Sequence, residues 1–90
     1  MHRVYCFSGQ SASVRALLDQ AGLGTETGGI QAVNEARHLA GLSGGTFAYV
    51  KNHRNYVPPA MLEMVAACGM NVITLSDEYA RARALRRAIA

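Results

Sequence analysis

The sequence predicts a small α/β domain, a three-stranded parallel sheet with helices on both faces, in the order β-α-α-β-α-β-α. Three observations predict it. Apolar runs rich in β-formers at Val4–Phe7, Thr46–Val50 and Val72–Leu75 alternate with stretches of helical periodicity. The first run carries no polar alternation, which suits a strand covered on both faces. Three small-residue, glycine, hydrophobe endings (AGL at 21–23, AGL at 40–42, CGM at 68–70) read as helix stops.

The elements follow in order. Val4, Tyr5, Cys6 and Phe7 form the first strand. Ser8, Gly9, Gln10 and Ser11 break it with small, turn-forming residues. Val14, Leu17, Leu18 and Ala21 then recur at i, i+3, i+4 and i+7, one face of a helix, with Ser11 or Ser13 available as its cap. Gly24 to Gly29 reads as a polar loop. Ile30, Val33, Ala36 and Ala40 suggest a second helix over 30–40. After the Phe47 strand, Lys51–Tyr56 is a polar, basic loop. Pro58 and Pro59 open a helix striped by Met61, Met64, Val65 and Cys68. After the third strand, Ser76 caps a last helix. Asp77 and Glu78 complement its dipole, and Ala82, Leu85 and Ile89 supply a thin apolar seam.

Ninety residues with half of them hydrophobic make one domain over 1–90, with one modest core. The layout is that of a Rossmann or flavodoxin-like half, and right-handed crossovers place its helices on both faces if the strand order is 2-1-3. Three strands leave two edges, which a homodimer would close. No apolar run reaches the length of a membrane span, and no signal-peptide pattern is visible. Cys6 and Cys68 make no disulfide framework, so the cytoplasm is the expected location.

In an open parallel sheet, ligands sit beyond the carboxyl ends of the strands. That edge collects three loops. Ser8, Gly9, Gln10 and Ser11 offer N–H groups and hydroxyls at a helix start. Lys51, Asn52, His53, Arg54 and Tyr56 offer cations, an amide, an imidazole and a ring. Ser76, Asp77 and Glu78 form the third. The first two suit an anionic, nucleotide-like or phosphorylated ligand, with Lys51 and Arg54 neutralising charge and Tyr56 stacking.

Phe7–Ser13, FSGQSAS, resembles the PP-loop motif of ATP pyrophosphatases, in which SGG-x-D-S follows a strand. Ser8, Gly9 and Ser13 fall on matching positions. Gln10 stands where the motif has its second glycine, and Ala12 where it has its aspartate. The resemblance spans about seven residues. It implies phosphate binding and does not extend to the family's domain.

Catalytic signatures are mostly absent. There is no G-x-S-x-G elbow, no Walker A loop, no metal-ligand spacing among the histidines and cysteines, and no paired carboxylates. Ser8 or Ser11 meeting His53 as nucleophile and base is the one catalytic arrangement the loops allow. The expectation is therefore a non-catalytic binding protein. The alternative is a protein–protein interaction module, an accessory or inhibitory protein of the phage or mobile-element kind, working through a sheet edge or the Met61/Met64 face. Arg81, Arg83, Arg86 and Arg87 would follow nucleic-acid phosphates. A net charge of +3 and the lack of aromatics beyond Tyr79 make nucleic acid the lesser expectation.

Overall fold

Residues 2–23, 27–42 and 44–89 are described by a computed structural model. Strand β1 (His2–Phe7) leads through a 3-10 turn (Ser8–Gln10) into helix α1 (Ser11–Gln20). Strand β2 (Thr27–Val33) and a second 3-10 turn (Ala36–Leu39) come next. Strand β3 (Thr46–Val50), helix α2 (Pro59–Ala67), strand β4 (Asn71–Leu75) and helix α3 (Asp77–Ile89) complete the chain.

The sheet is parallel, as expected, but it has four strands in the order β2-β1-β3-β4. The helix read over 30–40 does not form. Its first residues continue β2, and Ala36–Leu39 is a single tight turn. The apparent i, i+3 pair Ile30 and Val33 belongs to a strand, where an odd separation puts side chains on opposite faces. Ile30 packs on the α1 side and Val33 on the other. A strand covered on both faces buries both residues, so its pattern imitates a helix. The expected order 2-1-3 fails for the same reason. The unrecognised β2 takes the place beside β1, and the Val72 strand lies outside β3. The Gly24–Gly29 loop is shortened in turn, because Thr27–Gly29 belong to β2; residues 24–26 lie outside the described residues.

Helices cover both faces. Val4, Cys6, Ala48 and Leu75 point to one side, where Leu17 and Leu18 of α1 and Ala80 of α3 close over them. Tyr5, Phe47 and Val33 point to the other, under Met61 and Val65 of α2 and Leu39 of the second turn. The expected seam of α3 is displaced. Ala80 is buried and Ala84 half-buried, while Ala82 and Leu85 are exposed. Two alanines one turn apart give α3 a smooth inner face, and the side chain of Ile89 lies outside the described residues.

The glycine endings act as helix stops at two places. Gly22 (φ 77°) and Gly69 (φ 70°) take the left-handed conformation, and the next residues bond back, Leu23 N–H to Leu18 O at 2.9 Å and Met70 N–H to Val65 O at 3.3 Å. At Gly41 (φ 83°) the same signal ends a 3-10 turn. The Ser76 cap forms, its Oγ accepting the Tyr79 N–H at 3.0 Å. The expected caps of α1 do not. Gln10 holds the cap position and its side chain makes no cap bond, while Ser11 Oγ donates to Ser8 O at 3.1 Å. Among the described residues, no helix is long and apolar enough to cross a membrane.

Cys6 is fully buried in β1, and burial pushes its thiol up from the ordinary value of 9.0. Below the unfolded value, both states keep the proton and the contribution to stability is complete. Above it, the unfolded chain loses its proton first, so stability falls as pH rises through 9 toward the folded value. Urea titrations at pH 7 and pH 10 should show a loss at the higher pH that Cys6→Ala reduces. An equal loss in both proteins would remove Cys6 as its source.

Candidate functional site

The order β2-β1-β3-β4 places a topological switch point between β1 and β3. β1 runs by α1 to β2 on one side, and the chain then crosses back to β3 on the other. At such a point the loops beyond the strands diverge and leave a crevice. The two loops singled out from sequence, Ser8–Ser11 and Lys51–Tyr56, are the two that flank it.

They are joined by Gln10. The register of β1 with β3 runs over Val4↔Thr46 and Tyr5↔Phe47 only, and beyond it the strands separate. The Gln10 side chain, fully buried, fills the gap. Its Oε1 accepts the Val50 N–H at 2.9 Å, and its Nε2 donates to Val50 O at 3.2 Å and Asn55 O at 2.7 Å. A primary amide carries the same donor and acceptor as a peptide group, so Gln10 does for Val50 what a neighbouring strand would. The expected ligand contact at Gln10 is thereby engaged inside the fold.

Asn55 is the second joint. Its Nδ2 donates to Gly9 O at 3.1 Å, and its N–H donates to His53 Nδ1 at 3.0 Å. That second bond sets the tautomer of His53. A backbone N–H can only donate, so Nδ1 carries the lone pair and Nε2 carries the proton. Nε2 lies 3.0 Å from Ser13 Oγ and donates to it. A general base toward Ser13 would need the opposite tautomer. The imidazole therefore orients the hydroxyl, and the Ser13 proton is left to point elsewhere. The pairing of Ser8 or Ser11 with His53 is not formed. Ser8 Oγ bonds instead to Asn34 Oδ1, beyond the end of β2.

Two shallow depressions flank the Lys51–Tyr56 loop. One, of about 460 Å³, lies on the α2 side and is walled by Tyr49, Lys51, Asn52 and Tyr56. Asn52 holds a left-handed φ of 62°, which Asn tolerates better than most residues, and Tyr56 is 71% exposed. The other, of about 450 Å³, lies between α1 and α3. Ser13 and Gln20 of α1, Lys51 and His53, and Ser76 and Asp77 at the start of α3 form its rim, with Leu17, Val50 and Leu75 at its floor. Lys51 and His53 line both. Arg54 is exposed on the same loop and lines neither.

Of the residues singled out from sequence, Lys51, Asn52, His53 and Tyr56 thus meet at the depressions, and Ser8, Gly9 and Gln10 are held by the hydrogen bonds that shape the edge. Ser13, Gln20 and Asp77 join the rim; Ser13 carried a signal in sequence as a candidate helix cap and a match to the PP-loop motif, Asp77 as a dipole-complementing residue of the third edge loop, and Gln20 carried none. Asn34 was hidden by reading β2 as a helix. Comparison with family models, with curated proteins and with solved structures found no match, so the reading of this edge rests on its own residues.

Proposed function

We propose that this chain is a small non-catalytic binding protein that holds an anionic, nucleotide-like or phosphorylated ligand at the C-terminal edge of its sheet. The observation that carries the proposal is the place of Lys51. It follows β3 at the switch point and lines both depressions. The Ser13 hydroxyl, in the first turn of α1, lines one of them. A cation and a hydroxyl donor together favour an anion. Tyr49 and Tyr56 supply aromatic surface beside Lys51, and Arg54 adds charge to the loop. The tautomer of His53 supports binding over catalysis.

A second reading has its own observation. Strand β4, NVITL, is an edge strand with no charge and no proline, and its Val72 is 44% exposed. Edges of this kind invite another strand, so the chain would serve as an interaction module, a homodimer through β4 among its forms. One experiment separates the two. Amide shifts are followed while the chain is titrated with AMP, ADP and inorganic phosphate, and again on dilution without ligand. Ligand binding predicts shifts confined to Ser13, Lys51–Tyr56 and Ser76. Lys51→Ala should then weaken affinity by about tenfold or more, the loss of one charge-assisted hydrogen bond, and Arg54→Ala should weaken it less. Shifts that respond only to dilution and centre on Val72 would replace the ligand reading with the second.

A further inference from the structure

The depression between α1 and α3 holds two charges of opposite sign, Lys51 and Asp77. Among the described residues the ion pair is Arg37 with Glu35, so these two are not paired with each other. Nor does the Asp77 carboxylate cap its helix, since Ser76 Oγ takes that place. A site for a bare phosphate gains nothing from a carboxylate on its rim, because like charges repel. A site for a ligand with an anion at one point and hydroxyl donors at another does gain, since a carboxylate accepts two such bonds.

Resting on the binding function proposed above, we infer that the ligand is a ribonucleoside monophosphate, and that Asp77 selects it by accepting hydrogen bonds from the ribose diol. The phosphate lies at the Lys51 and Ser13 end, where the His53 Nε2–H holds the Ser13 oxygen and leaves the hydroxyl proton to donate. The base lies along α1 over Leu17, with the Gln20 amide at its polar edge. Ser13 and Gln20 are seven residues apart, about 10 Å of helix, which matches the span from phosphate to base edge in a mononucleotide. The ribose falls between, facing the start of α3.

Calorimetric titration of the full chain with the four ribonucleoside 5′-monophosphates, their 2′-deoxy counterparts and inorganic phosphate tests the inference. At least one ribonucleotide should bind about tenfold or more tightly than its deoxy form, because the missing hydroxyl leaves a carboxylate lone pair unmet. Asp77→Ala, which removes the acceptor, should close that gap and leave phosphate bound at least as tightly, since a like charge is gone, and Lys51→Ala should weaken both forms alike and preserve the ratio. Equal affinities for ribo and deoxy forms would overturn the diol assignment and leave the anion site standing. Binding of phosphate with no gain from any nucleoside would do the same. No binding of any of these anions would overturn both. The ribo-to-deoxy ratio is read on the unaltered protein, so the test does not depend on the variants folding.

Discussion

Replacing Gln10 by leucine should lower the free energy of unfolding by about 2–4 kcal/mol, although the side chain keeps its size. The substitution orphans the Val50 N–H, which is part-buried, and removes donors from Val50 O and Asn55 O. Each buried polar group left without a partner costs about 1–3 kcal/mol, and the carbonyls recover part of this from water at the loop. In a domain of this size each kcal/mol is worth about 4–8 °C in Tm. Gln10→Glu sharpens the test. It keeps an acceptor for the Val50 N–H but sets a carboxylate against two carbonyl oxygens, so it should destabilise at least as much as leucine at neutral pH. Urea unfolding followed by circular dichroism measures both. A leucine variant as stable as the parent would mean that Gln10 does not hold β3 and its loop to β1. The same variant should also lose the Lys51 site, because the loop that carries Lys51 is anchored through Asn55 O.

Phe47→Ala should cost about 3–5 kcal/mol, the range for removing a buried ring and leaving a cavity. Phe47 is fully buried in β3, under Met61 and Val65 of α2, with the Tyr49 ring 6.5 Å away between centroids. Its neighbour in register is Val72 of β4, which shares the same face of the sheet yet is 44% exposed. Val72→Ala should cost under about 1 kcal/mol, as an exposed position does. The contrast isolates coverage from strand position, since the two residues are adjacent in one sheet. Similar losses at both sites, read from urea midpoints, would show that α2 does not cover Phe47 in the way the burial describes.

Three of the four strands, the three α-helices and the stops of α1 and α2 were legible in the sequence, because each rests on local chemistry. Val4–Phe7 declares a covered strand by composition. Pro58 and Pro59, Gly22 and Gly69, and Ser76 declare helix ends by dihedral preference and capping. β2 was not legible, since Ile30 and Val33 satisfy a helical spacing and a two-faced strand equally well. Only pairing with β1 distinguishes them. The candidate edge was legible as a set of loops for a related reason. A parallel sheet sends every strand's carboxyl end to one side, so Ser8, Lys51 and Ser76 had to gather there once the strands were placed.

What tertiary structure alone decided is how those loops divide their work. From sequence, Gln10 and Lys51 are two polar residues at one edge. In the fold, the separation of β1 from β3 draws the Gln10 amide inside as a substitute rung, and Lys51 stays at the surface, lining both depressions. Ser13 passes from a helix cap to the partner of His53, because α1 begins at Ser11 and sets Ser13 inside its first turn, facing a residue 40 positions away. A local pattern records what a residue can do by itself. Its partner across the sheet selects which of those roles it takes.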